Sequence, residues 1–193
     1  MASKVQHSRR IPWRLLGWGG AAALLLLPLI AMRFTSEVNW TPADFIFAGS
    51  MFALVGGTFE LVVRRSGSGW YRGGVAVALG TALLLVWING AFGIVGDEQN
   101  PANLMFLGVI AIALAGSIVC RFRPAGMALA MVLAAAAQAL VAVIAFLFRL
   151  GADQPPFFPG VIILIAAFSI AWLSSAWLFR NAAHQDLDAA GPR

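Results

Sequence analysis

Six continuous apolar runs divide the chain, at residues 13–32, 43–63, 74–96, 102–120, 125–148 and 159–179. Each is long enough to cross the hydrocarbon core of a bilayer as a helix, which takes about 20 residues at roughly 1.5 Å per residue. No run alternates apolar with polar positions, so barrel strands are not expected. The expected fold class is therefore all-α: a polytopic membrane helix bundle of six transmembrane helices forming one domain over residues 13–179, between tails at 1–12 and 180–193. The first run has the basic start of a secretory signal, but it continues to Met32-Arg33-Phe34, beyond the roughly 7–15 residues of a signal core, and no small-x-small cleavage site follows. Ser8-Arg9-Arg10 is followed by Pro12 and Trp13, where a twin-arginine signal wants Phe and Leu. The run reads as a retained helix.

Composition agrees and removes whole classes of function. The chain is 61% hydrophobic and 11% charged, with a mean hydropathy of +0.85, against about 45–50% and about 25% in soluble domains. Six spans leave no room among 193 residues for a soluble domain. A soluble enzyme, a nucleic-acid reader and a disulfide scaffold are excluded, the last because Cys120 is the single cysteine. A pI near 11.0 would otherwise suggest nucleic acid, but the basic residues lie in short segments between apolar runs, where they encode membrane orientation. The expected partners are the lipid bilayer and, at its faces, further membrane subunits or copies of the chain; nucleic acid is not expected.

Orientation follows from the segments that hold Lys and Arg. Lys4, Arg9 and Arg10 precede the first run and Arg14 stands at its amino end; Arg64, Arg65 and Arg72 lie in the second link; Arg121 and Arg123 in the fourth; Arg180 and Arg193 after the sixth run. The opposite side holds only Arg33 and Arg149, beside Glu37, Asp44, Asp97, Glu98 and Asp153. An eleven-to-two split that never changes sign from link to link places both termini on the cytoplasmic side.

Self-comparison adds a candidate repeat. Pro42-Ala43-Asp44-Phe45-Ile46-Phe47-Ala48-Gly49 and Pro101-Ala102-Asn103-Leu104-Met105-Phe106-Leu107-Gly108 share four of eight positions. The odd-numbered helices also start alike, at Trp18-Gly19-Gly20, Arg72-Gly73-Gly74 and, more loosely, Pro124-Ala125-Gly126. Two explanations are open: three tandem two-helix hairpins, or a shared liking of outward helix starts for a cap and a first-turn proline.

Few polar residues lie at depth, and each needs a reason. Glu60, one turn before the cytoplasmic end of the second run, is either an intramembrane proton or cation site or the i,i+4 partner of Arg64. Asn89 lies eight residues before Asp97, which on a continuous helix puts it roughly 12 Å into the membrane. Gly90, Gly93 and Gly96 would then form a bare strip along the third helix. Asn100-Pro101 and Thr41-Pro42 with Asp44 read as helix caps. Asp97 and Glu98 make an acidic, periplasm-facing rim beside the start of the fourth helix. Asn89, Asp97, Glu98, Asn100 and Asn103 are thus the candidate functional corner. Oxygens of Asp97, Glu98 and Asn100 suit a hard cation in kind but not in any specific spacing. Ser169, Ser174, Ser175 and Gln138 read as interhelical hydrogen-bonding and packing residues.

No catalytic residue, metal site or cofactor is expected. His7 and His184 lie in the tails, so no run offers a bis-His haem, a zinc-protease motif or a Ser-His dyad. No Lys lies in a run to carry a retinal Schiff base, and no phosphate-binding Gly-x-x-x-x-Gly-Lys occurs.

Trp87-x-Asn89 followed by Gly93-Ile94-x-Gly96-x-Glu98-x-Asn100-Pro101-Ala102-Asn103, with Glu60 before Arg64-Arg65 and with Arg121-Phe122-Arg123-Pro124-x-Gly126-Met127, resembles a family of small uncharacterised bacterial inner-membrane proteins. The likeness covers residues 37–148 and leaves out the first and sixth helices. It implies a bacterial membrane location and marks the corner between helices three and four; it implies nothing about catalysis. Three classes of function are expected, in this order: a small transporter or ion-conducting subunit, an accessory or scaffold subunit of a membrane complex, and an enzyme acting on lipid or quinone at the periplasmic edge.

Overall fold

A computed structural model describes residues 13–151 and 159–190. Lys4, His7, Arg9, Arg10, Asp153 and Arg193, all used in the sequence analysis, lie outside the described residues, as does the proline-rich approach to the sixth helix. The described chain is all-α. Its helices are α1 (Trp13–Ala31), α2 (Pro42–Arg65), α3 (Gly69–Phe92), α4 (Met105–Val119), α5 (Pro124–Leu147) and α6 (Pro159–Ala190), with a 3₁₀ turn, Pro101–Leu104, leading into α4. Six of these segments are long and apolar enough to cross a membrane, counting the 3₁₀ turn together with α4.

Helix ends differ from the apolar runs where polar capping chemistry intervenes. α3 starts at Gly69, five residues before the run at 74–96, because the Ser68 hydroxyl accepts the Tyr71 N–H at 3.3 Å as an N-cap. It stops at Phe92 because Gly93 turns to φ +70°, and the Gly93 N–H closes the last turn on the Asn89 carbonyl at 3.1 Å. α6 passes the end of its run at 179 and continues to Ala190. Ala182 is fully buried and Ser68 Oγ donates to Gln185 Oε1 at 2.8 Å, which ties that extension down. A 32-residue helix is about 48 Å long, well beyond a hydrocarbon core of about 30 Å.

By internal contacts the chain divides into two units, Met1–Thr58 and Phe59–Arg193. In the first, Thr41 and Asp44 cap α2 reciprocally: Thr41 N–H and Oγ1 donate to Asp44 Oδ2 at 2.7 and 2.8 Å. Gly56 leaves room on α2 for the Trp18 ring of α1, which a Cβ there would meet at 3.1 Å.

The second unit holds most of the core. α5 packs on α6, α6 on α3, and α4 on α5, whereas the consecutive helices α3 and α4 touch far less. The middle pair of the three-hairpin reading is therefore not a packed hairpin. Small residues set the approaches. A Cβ on Gly116 of α4 would lie 2.7 Å from Ala130 Cβ of α5, and one on Gly74 of α3 would lie 3.0 Å from the Phe179 ring of α6. Ser175 Oγ adds a hydrogen bond from α6 to the Gly74 carbonyl at 2.8 Å. The α4–α5 turn places Arg121 and Phe122 at φ 52° and 57°, held by Phe122 N–H to Ser117 O at 3.0 Å and by Tyr71 Oη donating to Phe122 O at 2.8 Å.

Gly126 faces this turn so closely that a Cβ would overlap the Cβ of Cys120. Gly126→Ala is expected to lower the thermal unfolding midpoint in detergent by several degrees. Gly108→Ala, where a Cβ meets nothing within 4 Å, is expected to leave the midpoint unchanged or raise it. Equal effects from the two changes would contradict the packing described.

Candidate functional site

The corner between α3 and α4 is built around one side chain. Asn103, 4% exposed, accepts the N–H groups of Ile94 and Val95 on Oδ1 at 3.0 and 2.9 Å. Its Nδ2 donates to the carbonyls of Asp97 and Val95 at 2.6 and 3.3 Å. This carboxamide thus serves as the backbone partner that residues 94–97 lost when they left the helix. The loop turns inward as a result: Ile94 and Val95 are buried at 3% and 0% exposure. Gly93 and Gly96, at φ +70° and +74°, make the two bends. A Cβ on Gly93 would run into the Asp97 carbonyl, and one on Gly96 would lie 2.8 Å from Asn100 Nδ2.

The expected glycine strip is therefore corrected. Only Gly90 belongs to α3; Gly93 and Gly96 are bends in a loop, used for their backbone freedom rather than for a bare helix face. The depth expected for Asn89 changes for the same reason, because the helix ends at Phe92 and Asn89 sits one turn from its end. Asn89 is half-buried, and its Nδ2 donates to the Asn103 carbonyl at 3.0 Å, while its Oδ1 is buried with no hydrogen-bond partner among the described residues. Asn100 is the cap the sequence suggests, its Oδ1 accepting the Ala102 N–H at 2.9 Å ahead of Pro101. Asp97 Oδ1 accepts the Gln99 N–H at 3.1 Å, and Glu98 is exposed. Of the five residues that the sequence groups at this corner, Glu98 makes no side-chain hydrogen bond among the described residues. The structure joins Asn89, Asp97, Asn100 and Asn103 through backbone hydrogen bonds, with Asn103 as the hub.

Glu60 Oε1 receives Arg64 Nη2 at 2.8 Å, an i,i+4 pair whose Arg member is 62% exposed. Arg72 acts nearby, donating from Nη2 to Val63 O in the last turn of α2 at 2.9 Å and from Nε to Ser66 O just beyond it at 2.8 Å, so it caps the end of that helix.

Deeper polar groups behave differently from expectation. Ser169 and Ser174 bond back to Ile165 and Ile170 on their own helix, and Ser175 alone of the three bridges helices. Gln138 is fully buried and both its Nε2 and its Oε1 lack a partner; Trp172 Nε1, on a ring 1% exposed, lacks one too. The interhelical bond expected of Gln138 is thus not made among the described residues. Trp172 drew no attention in the sequence, because an indole within an apolar run reads as bulk; only its heptad position in α6 could have marked it. Between the C-terminal end of α5 and the N-terminal end of α6 an open groove of about 240 Å³ is lined by Ala142, Ala145, Phe146, Val161, Ile162 and Ile165, all apolar.

Asn103→Ala leaves two buried N–H groups and a carbonyl without partners at about 1–3 kcal/mol each, so it is expected to cost on the order of 3 kcal/mol or to abolish accumulation. Asn89→Leu removes one interhelical bond and is expected to cost about 0.6–1 kcal/mol. Glu98→Gln, on an exposed residue, should cost almost nothing. Denaturant titration of the three variants checks this order, and a cost for Glu98→Gln as large as for Asn103→Ala would contradict it.

Comparison with family models, with curated proteins and with solved structures gives no match for this chain.

Proposed function

We propose that this multi-pass protein resides in a bacterial inner membrane with both termini in the cytoplasm, and that it serves as a non-catalytic accessory or scaffold subunit. The observation that carries this reading is the engagement of Asn103. The corner richest in polar residues uses its carboxamides to hold its own loop, through four hydrogen bonds from one side chain. The outward faces support the same reading. Ile46, Leu54, Leu107, Leu114, Ile163 and Ile170 are large, exposed and spread over α2, α4 and α6, which suits contact with lipid or with neighbouring membrane helices. A second reading, a small transporter, is favoured by the unpartnered carboxamide of Gln138 near the middle of α5.

Two experiments test the proposal. Reporter fusions after Ala190 and within residues 97–100 should report cytoplasm and periplasm respectively, and a periplasmic signal after Ala190 would refute the orientation. In a strain whose defect is complemented by the wild-type gene, Asp97→Asn with Glu98→Gln should complement as fully as Arg149→Gln. Loss of complementation by the carboxylate pair alone would refute the accessory reading.

A further inference from the structure

Helical register sets Gln138 of α5 and Trp172 of α6 at one level of the packed α5–α6 seam. Ala145 and Ile165 line the same groove between these helices. Seven residues return a helix to nearly the same face, two turns along, with a drift of about 20°. Stepping seven residues inward from Ala145 gives Gln138, and the same step from Ile165 gives Trp172. α5 and α6 run antiparallel, so both steps descend about 10 Å toward the cytoplasmic ends and arrive at one level. The α3–α6 seam converges on that level independently. Gly74 lies against Phe179; seven residues along from each, toward the middle of the unit, stand Thr81 and Trp172. Three helices thus place a polar side chain in one layer, and the residues are 4%, 0% and 1% exposed for Thr81, Gln138 and Trp172. All three lie near the centres of their helices.

The hydrogen-bonding capacities of this layer are complementary but unused. Thr81 Oγ1 donates its hydrogen to Val77 O at 2.7 Å, which leaves the oxygen's lone pairs to accept. Trp172 Nε1–H can only donate; the Gln138 carboxamide offers two N–H donors and one acceptor oxygen. Among the described residues neither the Gln138 carboxamide nor the Trp172 indole N–H has a hydrogen-bond partner. An isolated carboxamide costs several kcal/mol in an apolar medium, so buried groups of this kind bind something. A charged ligand does not fit, because none of the three residues bears a charge to oppose it. An apolar one would leave every site unmet. What fits is a small neutral molecule that donates and accepts at once, with about three hydrogen-bonding partners, as buried waters typically have.

We propose that the mid-span layer of Thr81, Gln138 and Trp172 is a binding site for water, held by the indole N–H, the carboxamide and the threonine oxygen. The site is separate from the α3–α4 corner and does not depend on the accessory reading.

The test uses the full-length protein in nanodiscs, ¹⁵N-labelled at tryptophan. The Trp172 indole resonance is assigned by its loss in Trp172→Phe, and magnetisation transfer from water to that N–H is then measured. A cross-peak to a long-lived water is expected in the wild type, and it should disappear in Gln138→Met and weaken at least twofold in Thr81→Val. If Gln138→Met does not fold, the wild-type and Thr81→Val spectra decide alone. No water cross-peak in the wild type would overturn the proposal, as would a cross-peak unchanged in Thr81→Val. A direct bond from the indole to the Gln138 oxygen, seen as a coupling across it with no water transfer, would overturn it as well.

Discussion

The constraint on which this structure depends is that a polar group inside a membrane span has no solvent to satisfy it. Helices meet that constraint for their own backbones, so the long apolar segments are helical and the breaks between them carry the remaining polar chemistry. Where the chain leaves α3 at Gly93, the N–H groups of Ile94 and Val95 have no helical carbonyl to bond, yet both residues are buried. Asn103 supplies the missing acceptor. The same logic runs through the caps of α2 and α3, the Arg72 guanidinium on the end of α2, and the serines that bond back to their own helices.

Packing in the second unit follows from small residues placed where helices must come close. Gly116 against Ala130, Gly126 against Cys120 and Gly74 against Phe179 fix the α4–α5 and α3–α6 approaches. α5 packs against both α4 and α6, and the buried alanines along it, among them Ala130, Ala134, Ala135 and Ala145, suit that double contact. Among the described residues Gln138 and Trp172 in this seam, with Asn89 Oδ1 at the corner, are the exceptions to the rule of satisfied polarity.

Much of the fold was legible in the sequence because the signals were long. A run of about 20 apolar residues has one stable form in lipid, and all six such runs became helices. The corner was legible as a location, since Asn89, Asp97, Glu98, Asn100 and Asn103 fall within fifteen residues. Its purpose was not legible. Gly90, Gly93 and Gly96 keep helical spacing, and apolar residues continue through Val95, so nothing in the pattern shows that the backbone turns left-handed at Gly93. The identical-looking starts of α2 and α4 hid a similar difference. Asp44 caps its own helix through Thr41, whereas Asn103, at the matching position, reaches back to the preceding loop. Gln138 and Trp172 are thirty-four residues apart on different helices, and their shared burial depends on how α5 packs against α6, which no local pattern encodes.

The central claim, that Asn103 holds the loop after α3 by replacing its lost helical partners, is tested most directly by amide hydrogen exchange at Ile94 and Val95 in the membrane-embedded protein. Both amides should exchange slowly in the wild type. In Asn103→Ala they should exchange at least a hundredfold faster, while amides in the middle of α5 keep their protection. Fast exchange at Ile94 and Val95 in the wild type, or protection that survives Asn103→Ala, would contradict the account.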